Sequence, residues 1–138
     1  MLLLRFCLVA FLAGCPATAQ SPDNPAREIP WTKRSSHPFK SGRIYSWYHL
    51  VKDDSGLRRA IIMRSFDTPR SEWPDDFASM IYVQDFDCTA RSFKLGLFYW
   101  YAGQRGTGRL LRSSESFSDP QPLGDDEEAR FFFRELCR

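Results

Sequence analysis

The sequence predicts an α+β domain, an antiparallel β-sheet of about five or six strands with one C-terminal helix lying across it. Three observations predict it. Between 43 and 101, apolar and polar residues alternate in runs with the two-residue period of strands. Over 125–137 the period becomes helical, placing Ala129, Phe132, Phe133, Leu136 and Cys137 on one stripe. Two cysteines sit one in each context: Cys88 closes the run 79–88 on the parity of Met80, Tyr82 and Phe86, and Cys137 ends the stripe. If the two bond, helix is fastened to strand across a loop of about 49 residues, worth roughly 4 kcal/mol in chain-entropy terms.

Residues 1–19 read as a signal peptide. Arg5 gives the positive start and 6–14 an apolar core too short to span a bilayer. Two cleavage points compete. Leu12-Ala13-Gly14-Cys15 matches a bacterial lipobox, which would make Cys15 an acylated N-terminus; Ala17-Thr18-Ala19 fits ordinary cleavage before Gln20. Either places the product in the periplasm, or at the outer membrane or cell surface, where disulfides persist. The mature part keeps two thiols, which allow one intramolecular pairing; two unrelated buried thiols are the alternative.

The remaining elements follow in order. Residues 20–30 hold three prolines and little to bury, as a tether does. A short first strand is expected at 31–34. The runs 43–52 and 57–66 form a hairpin around Asp53-Asp54-Ser55-Gly56. A loop covers 67–76 with Pro69 and Pro74, then come strands at 79–88 and 91–101. In the latter, Phe93, Leu95, Leu97, Tyr99 and Tyr101 make the richer face and are assigned to the helix. Phe98 and Trp100 then face away, where Tyr45 or Trp47 on the hairpin could join them in an exposed aromatic patch for a partner or a second copy. The alternative is a sheet that curls and buries both faces. Residues 102–108, with three glycines, turn into a last strand near 109–112, and 118–124 leads to the helix.

Composition excludes several functions. With 43% hydrophobic and 15% aromatic residues the chain is not disordered, and 19 basic against 17 acidic residues give no bulk drive toward nucleic acid. A zinc site lacks ligands, since His37 and His49 lie far in sequence from both cysteines, and no other metal or cofactor signature is present. Neither histidine sits in a catalytic context. Gly103-Gln104-Arg105-Gly106-Thr107-Gly108 lacks a P-loop lysine and joins two strands, so it reads as a hairpin turn. Asp85 and Asp87 share a strand face, ordinarily a solvated one. Arg58, Arg59, Arg64, Arg105, Arg109 and Arg112 make positive rims for anionic polymers, or simply solvated strand ends.

The residues from Ser79 through Phe86-Asp87-Cys88, Arg91, Leu97-Phe98-Tyr99, Gly106 to Gly108, the Pro120/Pro122 segment and the final Leu136-Cys137 resemble the surface-adhesin protein E family of small exported bacterial proteins. The resemblance implies a curved antiparallel sheet over 31–138, with the helix held to its concave face by a Cys88–Cys137 disulfide. It implies adhesion to host or environmental macromolecules, protein or glycan, without catalysis. Against the family pattern, Phe117 stands where a tryptophan is common. The sequence-level expectation is therefore a non-enzymatic envelope binder with Tyr45, Trp47, Phe98 and Trp100 as candidate contact residues, and membrane attachment only through Cys15. The competing readings are a periplasmic structural or stress-related accessory protein, and a small-ligand carrier with a closed apolar pocket between helix and sheet.

Overall fold

A computed structural model describes residues 25–39, 42–71 and 76–138. The signal peptide and Cys15 lie outside the described residues. Six strands run in chain order across one antiparallel sheet: β1 (Thr32–Phe39), β2 (Gly42–Lys52), β3 (Arg58–Arg70), β4 (Phe77–Asp87), β5 (Ser92–Tyr101) and β6 (Leu110–Phe117). A two-residue strand, β7 (Gln121–Pro122), pairs with the start of β5, and α1 (Glu127–Leu136) follows. The α+β class and the open antiparallel sheet with a C-terminal helix are as the sequence predicts.

Cross-strand register sorts the side chains onto two faces. One face carries the rows Tyr48–Ile62–Tyr82 and Leu50–Ala60–Gln84–Leu95, with Phe86 opposite Phe93. On this face lies α1, whose Ala129, Phe132 and Leu136 have no exposed surface and pack on Ala60, Ile62, Tyr82 and Phe86. These three residues fall at i, i+3 and i+7, the spacing read from the sequence, while Phe133 and Cys137 flank them half-buried. The helix starts where the Asp126 carboxylate accepts the Ala129 N–H at 2.9 Å, an N-cap that satisfies one of the first-turn donors. Glu127 and Glu128 in that turn and Arg134 in the last suit the helix dipole.

The opposite face carries Trp47–Met63–Ile81–Tyr99 and Val51–Arg59–Asp85–Lys94. Here the part of the proline-rich stretch that is described departs from a free tether. Ala26 is buried on Met63, Ile81 and Tyr101, and its carbonyl accepts the Trp31 indole N–H at 2.7 Å.

Three strand limits differ from the sequence reading. β1 continues to Phe39 rather than ending at Arg34, because 35–39 pair with β2 across a bulge at Arg34. β3 runs on through Pro69 to Arg70, where a loop was expected. The register breaks between Ser65 and Arg70, so proline at 69 interrupts no regular ladder. β6 reaches Phe117 through a serine-rich stretch of poor strand propensity, carried by its pairing with β5.

The largest correction concerns β5. Val83 pairs with Gly96, but Ile81 pairs with Tyr99, so one extra residue is inserted on β5. Leu97 lies at that bulge, with φ at 51°. A bulge reverses the parity of everything beyond it. Phe93 and Leu95 face the helix as expected. Beyond the bulge Phe98 and Trp100 are on the helix side, and Tyr99 and Tyr101 are on the other. Gly96 suits the same kink, because a Cβ there would lie 2.5 Å from the Phe117 ring seated over it.

Candidate functional site

On the helix side, the first turn of α1 is joined to the sheet by a polar node. Glu128, only 13% exposed, accepts from Arg34 at 2.9 Å and from Arg64 at 3.0 Å. It also accepts from the Tyr82 hydroxyl at 2.6 Å. Arg34 stands over the Phe131 and Phe132 rings and Arg64 over Tyr82, so both guanidinium groups are sandwiched between charge and aromatic faces. Burial, and then the Glu128 charge, hold the Tyr82 phenol well above the ordinary tyrosine range. It is therefore a protonated donor at neutral pH. Because the folded state keeps this proton and the unfolded chain loses it near pH 10, the stability due to Tyr82 is complete below pH 10. It is lost as pH rises toward the folded-state pKa. Tyr82→Phe is expected to cost about 2 kcal/mol at pH 7, the worth of a hydrogen bond to a charged group. It should also flatten the fall of the urea midpoint above about pH 10.

At its other end α1 is held covalently. Cys88, just after β4, and Cys137, the helix C-cap, form a disulfide with their Cα atoms 5.6 Å apart. The helix is thus tied at both ends, by an ionic node and by sulfur, with Phe132 between them. A carrier would need a closed apolar pocket at this level. Ala129, Phe132, Leu136, Ala60 and Ile62 have no exposed surface, so among these described residues no such pocket opens.

The face away from the helix is built differently. Along β1 and β2, Lys33 Nζ stands 6.0 Å from the Tyr45 ring centre and Tyr45 lies 6.1 Å from Trp47. The Arg105 guanidinium is 5.1 Å from the Trp47 ring. This row of cation, ring, ring and cation depends on the turn between β5 and β6 reaching across the sheet. Two buried serines hold the turn there. The Ser65 hydroxyl accepts the Arg105 N–H at 3.1 Å. The Ser79 hydroxyl accepts the Gly106 N–H at 2.9 Å and donates to the Gly103 carbonyl at 2.5 Å. Gln104 Nε2 adds a bond to the Phe66 carbonyl at 3.3 Å. Gly106 needs its missing side chain, since a Cβ would lie 2.9 Å from that of Ala26. Arg105 itself has φ at 55°, a left-handed conformation costing a non-glycine residue about 1 kcal/mol.

The residues singled out from sequence therefore separate. Tyr45 and Trp47 come together on the face away from the helix. Phe98 and Trp100 lie on the helix side, where Phe98 stacks on Tyr82 and Trp100 on Phe98, each at 5.5 Å. The four do not form one patch. Lys33, Ser65 and Ser79 were not anticipated as part of a site, and Arg105 only as one of several rim arginines. Asp85 pairs with Arg59 through two bonds of 2.6 and 2.7 Å, and Asp87 accepts the N–H groups of Thr89 and Ala90. Both carboxylates are thereby occupied within the fold.

A small open antiparallel sheet with a C-terminal helix disulfide-bonded across one face is the class that this architecture defines. Residues 31–138 match the family model for surface-adhesin protein E, and the chain belongs to that family. The family is one of surface adhesins, which implies an exported or cell-surface location and a non-enzymatic role. No curated protein and no solved structure matches the chain.

Proposed function

We propose that this protein is exported through the signal peptide 1–19 and binds an extracellular macromolecule, protein or glycan, at the bacterial envelope. Acylation of Cys15 would hold it on a membrane, and cleavage before Gln20 would release it. The binding surface in this proposal is the face away from the helix, centred on Tyr45 and Trp47. The row from Lys33 to Arg105 carries this reading, because rings and cations from three separate chain segments converge there. Half-buried aromatic side chains flanked by arginine are the usual energetic centres of recognition surfaces. Phe98 and Trp100 are assigned instead to support of the helix-side layer.

The test is saturable binding of the exported protein to surfaces coated with matrix glycoproteins and with polysaccharides. Trp47→Ala should weaken the binding at least tenfold with the domain still folded. Arg134→Ala, exposed on α1, should leave it unchanged. Binding to nothing in such a panel, together with an envelope defect on deletion, would favour a periplasmic accessory role instead.

A further inference from the structure

We infer that the row on β1, β2 and the β5–β6 turn takes a linear acidic polysaccharide, its sugar rings lying on Tyr45 and Trp47 and its carboxylate or sulfate groups meeting Lys33 and Arg105. The inference deepens the binding reading above and rests on it.

The cations differ in whether a carboxylate answers them. Arg34 and Arg64 share the single carboxylate of Glu128 on the helix side, and Arg59 is paired with Asp85. Among the described residues no carboxylate pairs with Lys33 or Arg105; each stands against an aromatic ring instead. A cation over a ring keeps N–H donors directed outward, so the row offers positive charge at both ends and apolar planes between them. Arg43 extends the positive edge on the same face, where it donates to the Ser36 carbonyl and hydroxyl.

The two rings are inclined at 30° to one another. They can therefore serve successive rings of a bent, flexible chain better than one flat molecule. An acidic peptide would satisfy the cations and leave the rings without matching partners. The polysaccharide uses both.

The geometry of Arg105 adds an independent argument. Its left-handed backbone is unfavourable for arginine, yet it is over-determined by Ser65, Ser79 and Gln104. Backbone strain held in place by buried side chains fixes where the guanidinium sits before any ligand arrives. Such pre-organisation lowers the ordering cost of binding.

The experiment is calorimetric titration of the exported full chain with a heparin-derived decasaccharide, with poly-glutamate and a neutral dextran oligosaccharide as comparison arms. The decasaccharide should bind, and Trp47→Ala and Arg105→Ala should each weaken it at least tenfold. Arg105→Lys should recover part of the Arg105→Ala loss, and added salt should weaken binding as expected for about two ionic contacts. Tight binding of poly-glutamate would mean that acidity alone is read, and equal binding of dextran that charge is not read at all. Either result overturns the inference, as would a decasaccharide affinity that ignores Trp47. If the decasaccharide does not bind but capture of a matrix glycoprotein still depends on Trp47, the ligand class is wrong and the binding face stands. Loss of both removes both.

Discussion

Removing the disulfide, by Cys88→Ser together with Cys137→Ser, should destabilise the domain by about 4 kcal/mol, the loop-closure entropy released by a 49-residue separation. For a domain of this size that is a fall on the order of 15 °C in thermal midpoint. The bond lies at one end of α1, so the loss should be felt there first. Amide exchange in the helix should become fast while the central strands β3 and β4 remain protected, because their ladders do not involve the helix. Calorimetry and exchange on the double variant would check both parts. A variant with unchanged midpoint would mean that the apolar contacts hold α1 without help.

Phe132→Ala should cost a similar amount, about 4 kcal/mol. Phe132 has no exposed surface and meets Tyr48 at 5.3 Å and Phe131 at 5.1 Å, ring centre to ring centre. Truncation would leave a void beneath the helix that Ala60, in the same core cluster and already small, cannot fill. Because Phe132 and the disulfide both serve to dock α1, their losses should not add. Once the helix is free, removing Phe132 has little left to disturb. Urea midpoints of the two single-feature variants and of the combined variant would measure that coupling. Full additivity would contradict the picture of one docked unit.

Much of this architecture is legible in the residues themselves. The stripe Ala129, Phe132, Leu136 points to one helical face, and the parity of Met80, Tyr82 and Phe86 points Cys88 toward it. Both survive in the structure because each element is regular over the residues concerned. The β5 reading fails beyond Gly96 for a definite reason. Phe98, Tyr99, Trp100 and Tyr101 are all aromatic, so alternation there cannot distinguish one face from the other. A single inserted residue at Leu97 then decides the outcome. Gly96 was the visible hint, since an isolated glycine in a strand often marks a bulge.

The site was harder to see. Lys33 and Arg105 are 72 positions apart in the chain and meet the same pair of rings only because β2 lies between β1 and β3, and the β5–β6 turn folds back over the sheet. Ser65 and Ser79 looked like ordinary polar positions in strands. Their burial is what reveals them as the clamp on that turn. The Glu128 node escaped for a related reason. A glutamate in the first turn of a helix is expected from the dipole alone, and only the packing shows two arginines and a tyrosine converging on it.

The division of labour between the two faces, with the helix as architecture on one and recognition on the other, is tested most directly by hydroxyl-radical footprinting of the protein with and without its bound macromolecule. Tyr45 and Trp47 should lose reactivity on binding, while Phe131 and Phe133 on the helix keep theirs. Protection of the helix phenylalanines with Tyr45 and Trp47 still reactive would contradict the account.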